Sequence, residues 1–198
     1  MLATLPNILT IARIALIPAL VAACYVDEPA GNWAALMIFA AAGITDYFDG
    51  YFARSRGQVS AIGRFLDPVA DKLLVAAILL VLVSLHRISG ITIVAALVIL
   101  CREILVSGLR EFLAGVSVSV PVSKLAKWKT VLQMVALGFF LIGTAAPFDI
   151  PAMDIGALGL WLAALLTLYT GYDYLRAGLR YIHEVDRELR REDETEAR

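Results

Sequence analysis

The chain has 198 residues, of which 60% are hydrophobic and only 18% charged, with a formal net charge of −1 and a mean hydropathy of +0.79. Soluble domains carry about 25% charged residues, so the composition excludes an ordinary soluble core and points to an integral membrane protein. Almost nothing is left over as linker, which also excludes small domains strung on disordered segments.

A helix needs about 20 largely apolar residues to cross the hydrocarbon layer, and six stretches qualify, at about 8–27, 33–53, 68–86, 90–112, 128–146 and 154–175. The expected fold is therefore an all-α, polytopic bundle of six transmembrane helices. Pro6 and Asn7 punctuate the start, where an interfacial helix leads into the first span. That start lacks a basic leader region, so the first hydrophobic segment is expected to be retained. Asp27, Glu28, Pro29, Gly31 and Asn32 form a polar turn, and Trp33 suits a membrane interface. The second helix runs through MIFAAAGITDYFDGYFAR, whose small residues permit close helix contacts. Ser55 to Gln58 form the next turn, and a third helix follows, with Pro68 in its first turn or at a modest kink.

The fourth helix ends in CREILVSGLREFLAG, where Arg102, Glu103, Arg110 and Glu111 intrude, and residues 115–126 are expected as a loop. SKLAKWKTVLQ leads into the fifth span, and Pro147, Asp149 and Pro151 turn the chain into the sixth. The tail HEVDRELRREDETEAR has mixed charge and no apolar face, so the chain divides into a membrane domain at 1–180 and a charged tail at 181–198, a solvated helix or frayed end. Cys24 and Cys101 give no disulfide signature and read as isolated apolar-face thiols. With the N-terminus cytoplasmic, the outer loops fall near 28–32, 87–89 and 147–153, and of the 17 Lys and Arg residues only Arg87 lies outside. The positive-inside rule thus favours both termini in the cytoplasm.

The stretch DYFDGYFARSRGQVSAIGRFLDPVAD breaks the apolar pattern with Asp46, Asp49, Asp67 and Asp71. Acids at membrane depth are costly and mark function, and four together repel one another unless a cation neutralises them. Asp46 and Asp49 are three apart and share a helix face, and Asp67 and Asp71 are four apart and share another. Gly50, Ala53 and Gly63 clear space around them. Oxygen-only clusters suit Mg²⁺, Mn²⁺ or Ca²⁺ and hold one or two ions, which commonly bind phosphate oxygens. The plain alternative takes the acids singly: Asp46 as an interfacial acid, Asp67 as a cap for a helix begun by Pro68, and Asp71 paired with Lys72 or Arg64. A divalent-cation transporter would instead string its acids along a route across the membrane, whereas these gather at one face.

The segment resembles the signature of the CDP-alcohol phosphatidyltransferase family, D-x2-D-G-x2-A-R-x8-G-x3-D-x3-D, through Asp46, Asp49, Gly50, Ala53, Arg54, Gly63, Asp67 and Asp71. The resemblance implies a six-helix membrane enzyme that transfers a phosphatidyl or related group from a CDP-linked donor to an alcohol and releases CMP. It implies that Asp46, Asp49, Asp67 and Asp71 bind metal, Mg²⁺ or Mn²⁺ as two ions. Asp71 would also be the base, and Gly50, Ala53, Arg54 and Gly63 would meet the nucleotide. His86 and His183 are not persuasive bases, one near the outer face and the other in the tail.

Arg102 and Arg110 are two helical turns apart and share a face, and Lys124, Lys127 and Lys129 precede the fifth span. These cations suit the phosphate of an anionic acceptor. Lys124 and Lys129 also fit plain positive-inside anchoring, and Glu103 or Glu111 could hold Arg102 in a purely structural network. PNILTIARI at 6–14, CREILVSGLRE at 101–111 and KWKTVLQMVAL at 127–137 resemble the bacterial branch of the family that uses sn-glycerol 3-phosphate. That likeness implies Asn7, Thr10 and Arg13 at the active-site entrance, and Arg102, Arg110, Lys127 and Lys124 at the acceptor phosphate. It implies CDP-diacylglycerol as donor, phosphatidylglycerophosphate as product, the bacterial cytoplasmic membrane as location, membrane lipids and a homodimer as partners, and no nucleic acid. Inositol phosphate, serine and phosphatidylglycerol are the alternative acceptors.

Overall fold

The computed structural model describes residues 5–56, 61–115 and 124–196, and among these it is all helix, with no strand. The six long helices are α1 (Leu5–Ala23), α2 (Ala30–Arg56), α3 (Ala61–Ser84), α4 (Thr92–Gly115), α5 (Lys124–Ile142) and α6 (Ala152–Glu196). Two short 3₁₀ turns, Gly143–Ala145 and Pro147–Asp149, join the last pair. Three helices contain segments long and apolar enough to cross a membrane: Thr92–Gly115, Lys127–Ala145 and Ala152–Arg176. Shorter apolar segments, Asn7–Ala23 and Ala30–Thr45, lie on α1 and α2. Together they make a multi-pass membrane protein.

The helices form two triads. In one, α1 packs against both α2 and α3; in the other, α6 packs against both α4 and α5. Contacts of α2 with α5, and of α3 with α4 and α5, close the bundle. Its core runs through Leu20, Phe39, Leu74, Ile78, Leu82, Ile99, Leu137, Phe140 and Leu160. Buried alanines, among them Ala35, Ala42, Ala95 and Ala163, leave little bulk between helix axes. Leu80, Leu97, Ile104 and Leu165 are more than half exposed. A bundle apolar both inside and outside matches a lipid solvent.

Two local expectations are corrected. The first helix runs unbroken from Leu5 with no separate interfacial piece. The third begins at Ala61, not at Pro68, so Asp67 lies inside a helix and cannot cap one. The last continues through the charged tail to Glu196, the helical of the two forms expected for it. At 1.5 Å per residue a helix of 45 residues is about 67 Å long, twice the hydrocarbon thickness.

Beyond its last turn α3 is closed by a Schellman motif: His86 N–H donates to the Val83 carbonyl at 3.0 Å and Arg87 N–H to the Leu82 carbonyl at 2.9 Å. His86 takes the left-handed position, φ 57°, that glycine usually fills. The turn aims Arg87 at the end of α5, where its Nη1 donates to the carbonyls of Phe140 (3.2 Å) and Leu141 (2.7 Å). Asn32 donates to the next carbonyl, Ile142, at 3.1 Å. These last-turn carbonyls have no partner within a helix, and here side chains supply one. Nη2 of Arg87 reaches Glu28 at 2.8 Å and Asn32 at 2.5 Å, and Thr144 donates to Glu28. The one basic residue that the charge rule left outside is therefore a structural clamp, at the opposite end of α3 from Asp67 and Asp71.

Candidate active site

On α1, Asn7, Thr10 and Arg13 recur every three residues and form one polar stripe. All three are buried, at 1%, 0% and 1% exposure, and Arg13 lines the cavity described below. Their stripe faces α3: Thr10 Oγ1 donates to Asp67 Oδ1 at 2.5 Å, and Arg13 Nη1 to Asp71 Oδ1 at 2.8 Å. The spacing of three on one helix meets the spacing of four on the other, which gives each acid its own donor. Asp71 therefore pairs with Arg13 from α1; the side chain of Arg64 lies outside the described residues. Lys72 turns back to the Pro68 carbonyl at 3.1 Å.

Asp46, Asp49, Gly50, Ala53 and Arg54 are on α2, but their side chains lie outside the described residues, as does that of Lys124 at the start of α5. Gly63 is buried on α3, one turn before Asp67.

Asp71 and Arg13 open onto a cavity of about 1060 Å³ to which all six helices contribute. Its polar wall holds Asp71, Lys72, Arg102, Glu103, Arg110 and Lys129. Its apolar part lies between α2 and α5, with Leu36, Phe39, Ile44, Met134, Val135 and Phe139. The volume is at the upper end of the usual small-molecule range, about 300–1,000 Å³. A ligand with a charged head and a greasy body fits such a division.

Arg102 and Arg110 are both on the wall, as their spacing predicted. Lys127 is not: it is exposed, and it is Lys129 that faces inward, at 3% exposure. The signal was in the sequence. Lys129 is in register with the buried stripe of α5, Gln133, Ala136, Leu137 and Phe140, and Lys127 is off it. Lys129 Nζ and Arg102 Nη1 converge on Glu103 Oε1, the latter at 3.3 Å. Arg102 Nη2 donates to Thr170 Oγ1 at 3.0 Å on α6, and the threonine donates on to the Leu166 carbonyl at 2.8 Å. Next to Thr170, Gly171 makes room for the arginine stem: a Cβ there would lie 3.1 Å from Arg102 Cγ. Lys72, Glu103 and Lys129 are wall residues that motif spacing alone did not select as a set.

The sequence profile of the CDP-alcohol phosphatidyltransferase family matches residues 3–169. The chain belongs to the CDP-alcohol phosphatidyltransferase family. Among relatives of known name, one from Rickettsia bellii is 48% identical over 177 residues, spanning 89% of this chain and 96% of its own. It is named CDP-diacylglycerol–glycerol-3-phosphate 3-phosphatidyltransferase. Crystal structures of the Mycobacterium tuberculosis phosphatidylinositol phosphate synthase share the fold. The form in complex with manganese and citrate superposes with TM-score 0.63 at 19% identity, covering 90% of this chain and 84% of that one. The form with CDP-DAG bound gives 0.61 at 19% identity, covering 89% and 87%.

CDP-alcohol phosphatidyltransferases use divalent metals, and the acids described here suit one: Asp67 and Asp71 are hard oxygen donors one helical turn apart, each already oriented by a donor from α1. The family signature runs from α2 into α3, and α1 packs on both helices. In this member of the CDP-alcohol phosphatidyltransferases the N-terminal helix thus supports the motif from behind.

Proposed function

We propose that this chain transfers the phosphatidyl group of CDP-diacylglycerol to sn-glycerol 3-phosphate, giving phosphatidylglycerophosphate and CMP. One observation carries the reading: a single cavity holds Asp71 and, on the same wall, Arg102, Arg110 and Lys129, with an apolar extension between α2 and α5. The acid end suits the donor's pyrophosphate, the cations suit the acceptor's phosphate, and the apolar part suits diacylglycerol. The name and 48% identity of the Rickettsia bellii relative support the same acceptor.

Asp46, Asp49, Asp67 and Asp71 would hold two divalent ions, Mg²⁺ or Mn²⁺, which when bound supply positive charge to the donor phosphates. The acceptor's hydroxyl oxygen forms the new bond to the phosphorus that bears diacylglycerol, and the bond from that phosphorus to the bridging oxygen breaks, so CMP leaves with that oxygen. Asp71 receives the hydroxyl proton. A carboxylate is a weak base, so proton transfer accompanies attack, and positioning supplies much of the rate. Arg13 holds Asp71, and Thr10 holds Asp67. Gly50, Ala53, Arg54 and Gly63 form the nucleotide cradle, and Arg102, Arg110 and Lys129 orient the acceptor phosphate. The bundle crosses the bacterial cytoplasmic membrane six times, with both termini and the aspartate end in the cytoplasm; the basic residues concentrated away from the Arg87 end support that orientation. Residues 1–180 make the catalytic domain, and 181–198 a charged tail.

The test is turnover by purified protein given labelled CDP-diacylglycerol, Mg²⁺ or Mn²⁺, and one acceptor at a time. Glycerol 3-phosphate is expected to yield CMP and phosphatidylglycerophosphate, whereas exclusive use of inositol phosphate or serine would overturn the acceptor assignment. Asp71→Asn is expected to lower kcat at least about 100-fold in a folded protein. Near-normal turnover would remove Asp71 from the base role.

A further inference from the structure

Glu103 has no part in the transfer as described, yet its carboxylate sits among the cations of the cavity wall. We propose that Glu103 is a positioning residue for the acceptor phosphate, one whose single oxygen binds Lys129 and Arg102 into a fixed anion-receiving fork. The inference rests on the acceptor reading above and adds a residue to it.

The fork is assembled from three helices. Arg102 and Glu103 are adjacent on α4, Lys129 is on α5, and Thr170, which holds the far end of the guanidinium, is on α6. Side-chain exposure is 4% for Lys129 and 12% for Arg102, so water cannot screen the two charges well. Two cations from different helices hold together at such a site only around an anion. Asp71 is engaged with Arg13, and among the other described wall residues Glu103 is the acid.

Charge supports the assignment. Of the five cations among the described wall residues, Arg13 pairs with Asp71; Lys72, Arg102, Arg110 and Lys129 then stand against Glu103, an excess of three among those residues. A phosphomonoester brings about −1.5 to −2 near neutral pH, which the excess accommodates. Two buried polar atoms beside the fork, Arg102 Nε and Gln133 Oε1, have no hydrogen-bond partner among the described residues. They are a donor and an acceptor that an incoming phosphate ester with hydroxyl groups would satisfy. Glu103 takes one donor from each cation and leaves the remaining ammonium protons of Lys129 and Arg102 Nε to the ligand.

The experiment is steady-state kinetics on full-length protein in detergent with CDP-diacylglycerol and glycerol 3-phosphate. Glu103→Gln keeps the shape and removes the charge; it is expected to raise the acceptor KM about tenfold or more while the donor KM moves less than about twofold. In a Lys129→Met background the same change is expected to cost less than about threefold, because the two residues act through one another. Equal rises in donor and acceptor KM, an unchanged or lowered acceptor KM, or the same factor in both backgrounds would each overturn the proposal. If Glu103→Gln does not fold, Glu103→Asp serves: the retained charge on a shorter arm is expected to raise the acceptor KM about three- to tenfold, and no change would again overturn it. Failure of the unaltered protein to use glycerol 3-phosphate at all would instead overturn the acceptor reading itself.

Discussion

Replacing Thr10 by valine asks whether α1 supports the acids proposed to bind metal or merely packs beside them. Thr10 is fully buried and donates to Asp67 at 2.5 Å. Valine has nearly the same volume, so no cavity opens, and the change removes the hydroxyl that donates to Asp67. A bond to a charged acceptor contributes about 1.5–3 kcal/mol. Asp67 is only half-buried, so water recovers part of this, and burying a methyl instead of a hydroxyl recovers more. The expected loss of stability is about 1 kcal/mol. The effect on metal is larger, because removing a group that orients a ligand typically weakens binding about 10- to 100-fold. The assay is CMP release against Mn²⁺ concentration at saturating donor and acceptor, with thermal unfolding in the same detergent. The half-saturating Mn²⁺ concentration should rise at least tenfold, and Thr10→Ser should restore it. An unchanged metal requirement alongside the stability loss would refute the reasoning and leave Thr10 a packing residue.

Three further outcomes are expected. Gly171→Ala puts a Cβ 3.1 Å from Arg102 Cγ; helix propensity favours alanine by about 1 kcal/mol, so unfolding should be nearly unaffected while the acceptor KM rises several-fold, and an unchanged KM would show that the arginine tolerates displacement. His86→Gly relieves a left-handed backbone at φ 57° and should stabilise by about 1 kcal/mol, read as a higher unfolding midpoint with kcat unaltered. Glu28 is held below its ordinary value near 4.5 by hydrogen bonds from Thr144 and Asn32 and by the charge of Arg87. A depressed carboxylate stabilises the fold above its unfolded value and loses that contribution as pH falls through the folded one, so stability measured from pH 7 to 3 should fall less steeply in Glu28→Gln than in the unaltered chain.

The helices and the Asp67–Asp71 pair were legible because each depends on periodicity within one segment. Asp67 and Asp71 share a face on any helix, and Arg102 and Arg110 lie two turns apart however α4 is packed. What the sequence did not disclose depends on contacts between segments. Asp71 has a lysine beside it in sequence, but the α1–α3 packing brings up Arg13 instead. Lys127 and Lys129 look equivalent in a basic run, and only the buried stripe of α5 separates them. Pro68 suggested either a first turn or a modest kink, and α3, which begins at Ala61, holds it internally.

The clamp around Arg87 gives the bundle unequal ends. There the α1–α2 turn, the α3–α4 turn and the last carbonyls of α5 are bound to one guanidinium, directly or through Asn32 and Glu28. Opening that end would break several hydrogen bonds at once. Any parting of α2 from α5 is therefore expected to start away from Arg87, where no such set of hydrogen bonds is found among the described residues. Backbone amide exchange should follow the same gradient, slowest where α5 meets Arg87 and faster toward Lys129.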